Sequence, residues 1–290
     1  MNIPEDILTP AERAELRLRK LYSDRGYHRY RMARFEPYDF YAAHRSFIGG
    51  RILTFADTDG RLMALKPDVT LSIIKNYRGG EERLSYTEKV YRDTGSSGEF
   101  REISETGIER IGKIGADDEL EVIGLAKQSL EIISAEHILD VAHVGYISGL
   151  LAATEAGARE KLTELLRAKN APGIRALGLE GEAAKVWETL AGMYGPVEDN
   201  AEQLINMALN AEMKKAAEEL ILAGAGANAD FSIISDMNYY NGLVFKGFVP
   251  GSATAVISGG RYDKLVKALG RRGGAIGFAV YLDSINGETV

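Results

Sequence analysis

The densest chemistry in the chain lies in Arg101-Glu102-Ile103-Ser104-Glu105-Thr106-Gly107-Ile108-Glu109. On a strand, side chains two apart share a face, so Arg101, Ile103, Glu105, Gly107 and Glu109 project together. Two carboxylates flanking a glycine leave room for an approaching group, and their charge suits the ammonium of a small ligand. The same pattern also describes a solvated face of alternating charge, and the residues alone leave both readings open. Lys66-Pro67-Asp68-Val69-Thr70 sets a carboxylate and a hydroxyl two residues apart at a strand-to-helix turn; they reach a ligand or simply cap the helix. Ser235 to Gly242 is polar and rich in aromatics, and Tyr239 and Tyr240 can line a pocket while offering hydroxyls, or close a packed hairpin. In Gly259-Gly260-Arg261-Tyr262-Asp263 the glycines allow a close backbone approach, and Arg261 is suited to a carboxylate or phosphate.

Composition narrows the chemistry. The 290 residues include no cysteine, which excludes disulfides, thiolate metal sites and a cysteine nucleophile. His28, His44, His137 and His143 form no metal-ligand spacing, so no metal is expected. No phosphate-binding Gly-Lys loop and no serine elbow occurs. A net charge of −7 and a pI near 5.3 argue against diffuse attraction to nucleic acid. No apolar run approaches the length of a membrane span, and the charged N-terminus lacks an apolar signal core. Together these features imply a soluble, cytoplasmic protein.

The elements that must position these residues fall into three blocks. Residues 1–145 mix helices and strands. A helix is expected from Thr9 to Asp24, with Thr9 as cap and Pro10 at the first position, and a strand over Tyr27 to Phe35. A hairpin turns at Asp57-Thr58-Asp59-Gly60 between Arg51–Phe55 and Arg61–Leu65. A helix follows from Val69 to Tyr77, capped near Asp68. Strands are expected at Arg83–Arg92 and Phe100–Ile111, separated by a loop over 93–98. A helix starting at Asp117 carries Leu120, Ile123, Leu130 and Ile133 on one face, and Ile138–Val144 reads as a strand. Residues 146–228 are rich in Ala, Leu, Glu and Lys and read as a helical insertion. Residues 229–290 return to strands, at Phe231–Ile234, Leu243–Phe248, Ala253–Ile257 and Gly274–Tyr281. The fold class is α+β, an antiparallel sheet interrupted by a helical insert.

Five of these blocks, in order and over nearly the whole chain, resemble the catalytic core of class II histidyl-tRNA synthetase. Leu65-Lys66-Pro67-Asp68-Val69-Thr70 is similar to its LRPE-x-T block. Tyr91-Arg92 with Gly98 to Glu109 resembles motif 2, and Asn238 to Phe245 resembles the histidine-pocket block. Gly259 to Leu265 is similar to GGRYD-x-L, and Ala275 to Ser284 to motif 3. The resemblance implies a class II aminoacyl-tRNA synthetase-like core with a mixed, mostly antiparallel sheet flanked by helices. It also implies a histidine-like pocket built from Asp68, Thr70, Arg92, Glu105, Glu109, Tyr239, Tyr240 and Arg261.

The departures from that pattern point elsewhere. Ser235-Asp236 stand where the pocket block opens with an arginine, and Ser284 stands where motif 3 ends in one. Replacing a guanidinium that meets a phosphate by a hydroxyl removes a charge-assisted, two-pronged contact, and two such losses would end useful adenylation. Ala33 takes the place of the motif 1 proline while Glu36 is kept, and Glu105 takes the place of a glutamine. The chain ends after motif 3, so no anticodon-binding domain and no tRNA partner are expected. This set of departures resembles the regulatory subunits of ATP phosphoribosyltransferase, the first enzyme of histidine biosynthesis. The resemblance implies no catalytic residues, no cofactor, a short-form catalytic subunit as partner, a homodimer through the motif 1 region, and histidine as an effector. The alternative is an amino-acid-activating ligase of the synthetase type, for which retained Arg92 and the GGRYD block speak. A free-standing amino-acid sensor is a third reading.

Overall fold

The computed structural model describes residues 7–93, 99–234 and 239–285. The chain opens with helix α1 (Pro10–Asp24), where Thr9 and Glu12 form the reciprocal cap expected of Thr9-Pro10. Short strands β1 (His28–Arg29) and β2 (Phe35–Pro37) follow, then α2 (Tyr38–Ala43). The hairpin β3 (Thr54–Ala56) and β4 (Leu62–Leu65) turns at Gly60, with φ of 77°. The Asp57 carboxylate accepts the N–H groups of Asp59 and Arg61 across that turn. Helix α3 (Val69–Asn76) leads to the long pair β5 (Glu82–Asp93) and β6 (Phe100–Gly112), then α4 (Ala116–Ile133) and β7 (Ile138–His143).

The next stretch is helical: α5 (Val144–Ala152), α6 (Arg159–Arg167), α7 (Ala171–Ala176) and α8 (Glu182–Gly192). After the two-residue β8 (Gly195–Pro196) come α9 (Val197–Asn206) and α10 (Ala211–Ala223). The chain then rejoins the sheet through β9 (Asn228–Ala229), β10 (Leu243–Phe248) and β11 (Ile257–Arg261). It closes with α11 (Asp263–Ala268), β12 (Gly274–Tyr281) and α12 (Leu282–Ile285).

Among the described residues, nine strands form one mixed sheet in the order β1-β5-β6-β12-β11-β10-β7-β9-β8. Only β1 with β5 and β7 with β9 are parallel. A separate three-stranded sheet orders β2-β4-β3. The architecture is thus α+β, as the residue pattern implies. One face of the large sheet packs on α1, α4 and the helices from α5 to α10, in a core that runs from Ile108 and Phe278 to Trp187 and Leu204. Fully buried Trp187 donates its indole N–H to Thr154 Oγ1 at 2.9 Å, so its polar atom is satisfied. The other face packs on α3 and α11 through Val90, Ile103, Ile111 and Tyr262. No described helix is long and apolar enough to cross a membrane.

Four expectations are corrected. The segment Tyr27–Phe35 is strand only at His28–Arg29 and in its last residue; between them it lies over β5, with the Tyr30 N–H on the Ser85 carbonyl. Phe231–Ile233 forms a 3₁₀ turn, not a strand, because the Asp230 side chain accepts the Ser232 N–H and bends the chain. The strand expected at Ala253–Ile257 begins only at Ile257 and runs through Gly259-Gly260-Arg261. Strand propensity counts against two glycines, yet a Cβ on Gly260 would lie 2.6 Å from the Leu243 carbonyl oxygen. The neighbouring strand and Tyr240 require a bare backbone there. In α4 the buried face is Val122, Ile123, Ala126 and Leu130, whereas Leu120 is turned outward.

Candidate functional site

The cavity lies over β6, β11 and β12, on the face of the sheet that packs on α3 and α11. Its volume is about 310 Å³, at the small end of ligand pockets. Seven of the eight residues anticipated from sequence line it: Asp68, Thr70, Arg92, Glu105, Glu109, Tyr239 and Tyr240.

Each arrives by a simple rule. Alternation along β6 turns Ile103, Glu105, Gly107 and Glu109 to the same face. The solvated reading of that face fails for the glutamates, since Glu105 and Glu109 are each 1% exposed. Asp68 does both things asked of it. Its Oδ1 caps α3 by accepting the Leu71 N–H at 2.7 Å, while its Oδ2 stands 3.9 Å from Arg92 Nη2. Thr70, two residues on, donates to Glu109 Oε1 at 2.7 Å.

Gly107 does not open space for a ligand. The Tyr86 hydroxyl fills that position, and a Cβ there would overlap the Phe278 carbonyl. Gly277 gives the carboxylate of Glu109 its room in the same way.

Arg261 is the exception among the anticipated residues. In β11 the cavity side belongs to Ser258, Gly260 and then Tyr262, so Arg261 projects through the opposite face. There it pairs with Glu119 at 3.0 Å and Asp263 at 2.9 Å. Its side chain lies over Gly242, where a Cβ would come within 2.9 Å of Arg261 Cδ. Its carbonyl accepts the Asn241 N–H at 3.0 Å. Arg261 therefore holds the end of the tyrosine loop rather than touching the cavity.

Tyr86, Tyr262, Tyr281 and Ser258 line the cavity and were not anticipated. Strand alternation carried the signal for Tyr262 and Tyr281, since Tyr281 pairs with Glu105 across β12 and β6. Tyr262 donates its hydroxyl to Glu109 Oε2, and its ring sits 5.7 Å from that of Tyr239.

The electrostatics are lopsided. Among the described lining residues there are three carboxylates and one cation, Arg92. Arg92 Nε donates to the Pro67 carbonyl at 3.0 Å, Nη2 lies 3.3 Å from Glu105 Oε2, and the guanidinium also hydrogen-bonds Tyr281. Burial pushes Glu105 up to about 7 even though Arg92 opposes the shift. Burial pushes Glu109 up to about 8 against hydrogen bonds from Tyr262 and Thr70. Asp68 is raised by the same cause, with Arg92 again opposing. A hollow lined by reluctant carboxylates and tyrosines is chemically suited to a cationic group, which would restore the charge that burial suppresses.

The positions expected to grip phosphate supply no cation. Ser284 is buried 3.5 Å from Thr254 Oγ1 and does not face the cavity. Ser235-Asp236 lie outside the described residues, as does the loop over 94–98. No cluster of potential metal ligands occurs among the described residues. His143 is buried and serves structure, its Nε2 paired with Glu219 at 3.0 Å and its Nδ1 accepting the Gly145 N–H.

Comparison with known proteins agrees with this construction. A family model described as histidyl-tRNA synthetase matches residues 4–285. A curated relative from Moorella thermoacetica, named ATP phosphoribosyltransferase regulatory subunit, is 31% identical over 98% of this chain and 81% of its own length. Two solved structures share the fold. One is an ATP phosphoribosyltransferase regulatory subunit/histidyl-tRNA synthetase from Bacillus halodurans. Its TM-score is 0.83 at 24% identity, over 96% of this chain and 78% of that one. The other is a chain of the ATP phosphoribosyl transferase (HisG:HisZ) complex from Thermotoga maritima. Its TM-score is 0.72 at 20% identity, over 93% of this chain and 96% of that one. A synthetase-type core over nearly the whole chain, shared at 31% identity with a relative that carries the regulatory name, fixes the placement: the chain belongs to the histidyl-tRNA synthetase family and, within it, to the regulatory subunits of ATP phosphoribosyltransferase.

Proposed function

We propose that this chain assembles with a short-form ATP phosphoribosyltransferase catalytic subunit, which joins ATP to phosphoribosyl pyrophosphate, and that histidine inhibits the assembled enzyme. The observation that carries the reading is the charge of the cavity. Its one described cation, Arg92, is already engaged with Glu105, so no described lining residue offers an unengaged cation to charge developing on phosphate. The name of the Moorella relative and the composition of the Thermotoga complex support the partner.

The cavity itself is read as a histidine-like pocket for an amino-bearing small molecule. Asp68, Glu105 and Glu109 face the amino group, and Tyr239 and Tyr240 enclose the side chain. A homodimer through the motif 1 region fits the small sheet. There Phe35, Phe55 and Leu62 are 49%, 38% and 48% exposed, and Phe35 meets Phe55 edge-to-face at 5.4 Å. Beneath them Glu36 is buried and bonded to Ser72 and Lys75 at 2.9 Å.

The test is an activity titration. Increasing amounts of this chain are added to the catalytic subunit of the same organism, and phosphoribosyl-ATP is followed with and without histidine. A rise that saturates at fixed stoichiometry, and falls with histidine, is the expected result. A flat response, or ATP–pyrophosphate exchange by this chain alone, would overturn the reading in favour of an amino-acid-activating ligase.

A further inference from the structure

Among the described lining residues the one guanidinium, Arg92, is already engaged. Arg92 spends Nε on the Pro67 carbonyl and Nη2 on Glu105, with Asp68 Oδ2 at 3.9 Å and Tyr281 also bonded. A ligand carboxylate in the cavity would have to compete with Glu105 for Arg92 or sit beside the Glu105 carboxylate. Displacement would strand Glu105, whose side chain is 2% exposed, without a counter-ion. The other cation near Glu105 is Lys66, which is fully buried and bound to Glu88. Glu88 is the residue directly opposite Glu105 across β5 and β6, so it adds like charge rather than relief. A buried charge deprived of its partner is far more costly than a pair never formed. An ammonium meets no such obstacle. Asp68 and Glu109 line the same cavity, together with Tyr239 and Tyr262.

We infer that Glu105 makes this cavity select amines that carry no free carboxylate, in preference to zwitterionic amino acids. Glu105 acts as an internal carboxylate, occupying on Arg92 the place that the acid group of an amino acid would need. The inference rests on the reading of the cavity as an amino-group pocket and names the chemical class of its ligand. The raised pKa values of Glu105 and Glu109 agree with it, since a bound cation stabilises their ionised forms.

The test is calorimetric titration of the full chain with two probes that differ at one group. L-histidine has a carboxylate where L-histidinol has a hydroxymethyl. The expected result is binding of L-histidinol at least about tenfold tighter, with the gap closed or reversed in Glu105→Gln, where the internal carboxylate is gone and Arg92 is free to accept one. Equal affinities in the wild-type chain, or tighter binding of histidine, would overturn the inference without any variant. An unchanged gap in Glu105→Gln would overturn the role of Glu105. If neither imidazole compound binds, the histidine-like reading fails by itself, and benzylamine against phenylglycine decides the charge rule. Benzylamine bound alone sustains it. Neither bound, or both bound equally, overturns it.

Discussion

The two faces of β6, β11 and β12 hold charged clusters of opposite design. On the cavity face, three carboxylates share one guanidinium around a hollow. On the other face, Arg261 lies between Glu119 and Asp263, and His143 pairs with Glu219. Both clusters are built from glutamates and arginines of the kind that mark a site in a sequence. The difference is balance. A paired and packed network positions backbone, here the loop ending at Gly242. An excess of one sign around a void is held in a state that a ligand would relieve.

Substitutions can break this comparison. The largest effect is expected from Gly107→Ala, because its Cβ would overlap the Phe278 carbonyl and meet the Tyr86 hydroxyl at 2.6 Å. Neither a backbone carbonyl nor a ring locked in a core can move away cheaply, so a loss of about 3 kcal/mol is expected in chemical denaturation. Next is Arg261→Met, which leaves Glu119, only 3% exposed, without its counter-ion. A loss of about 2 kcal/mol is expected, reduced from the fully buried case because Arg261 is partly exposed. The matching change on the cavity face, Glu109→Gln, should leave stability within about 0.5 kcal/mol of wild type below pH 4.5, where the carboxyl is protonated in both states, and should raise it at pH 8. It removes a reluctant charge, keeps an acceptor for one of the two hydroxyls of Thr70 and Tyr262, and offers an N–H that the other can accept. Similar losses for the two variants would erase the distinction between the faces.

The same contrast has a pH signature. Glu105 and Glu109 are raised from 4.5 to about 7 and about 8, so between these values the folded chain holds protons that the unfolded chain has released. Their contribution to stability is complete below pH 4.5 and is lost as pH rises through 7 and 8. Denaturation midpoints should therefore fall over that window, by at most about 1.4 kcal/mol per pH unit for each proton. The double variant Glu105→Gln, Glu109→Gln should flatten the fall, whereas Arg261→Met should not, since it frees buried Glu119 from the cation that holds its pKa down. A control lies away from both faces. Asn210→Ala removes the cap of α10, a 3.0 Å bond to the Met213 N–H and a 2.9 Å bond to the Gly149 carbonyl, and should cost about 1 kcal/mol with no change in the pH slope.

Much of this was readable in the chain itself. Local rules placed the cap at Thr9, the turn at Gly60, the cap at Asp68 and the shared face of Glu105 and Glu109, because each depends on neighbours within a few residues. The order of five blocks carried the fold. The sequence could not choose between the two readings of the Glu105 face, since burial is set by β5, β12 and α3, which arrive from elsewhere. Nor could it say which face Arg261 would take. Gly259-Gly260 reads as a loop until β10 and β12 are set beside it, and only then does alternation send Arg261 to Glu119 and Tyr262 to Glu109. The pairing of Arg92 with Glu105 joins β5 to β6 at positions that are not directly opposite, so it too belongs to the tertiary structure. Residue types and periodicity determined which groups were present and which shared a strand face. Long-range packing decided which of them were buried, which were neutralised, and which were left facing a cavity.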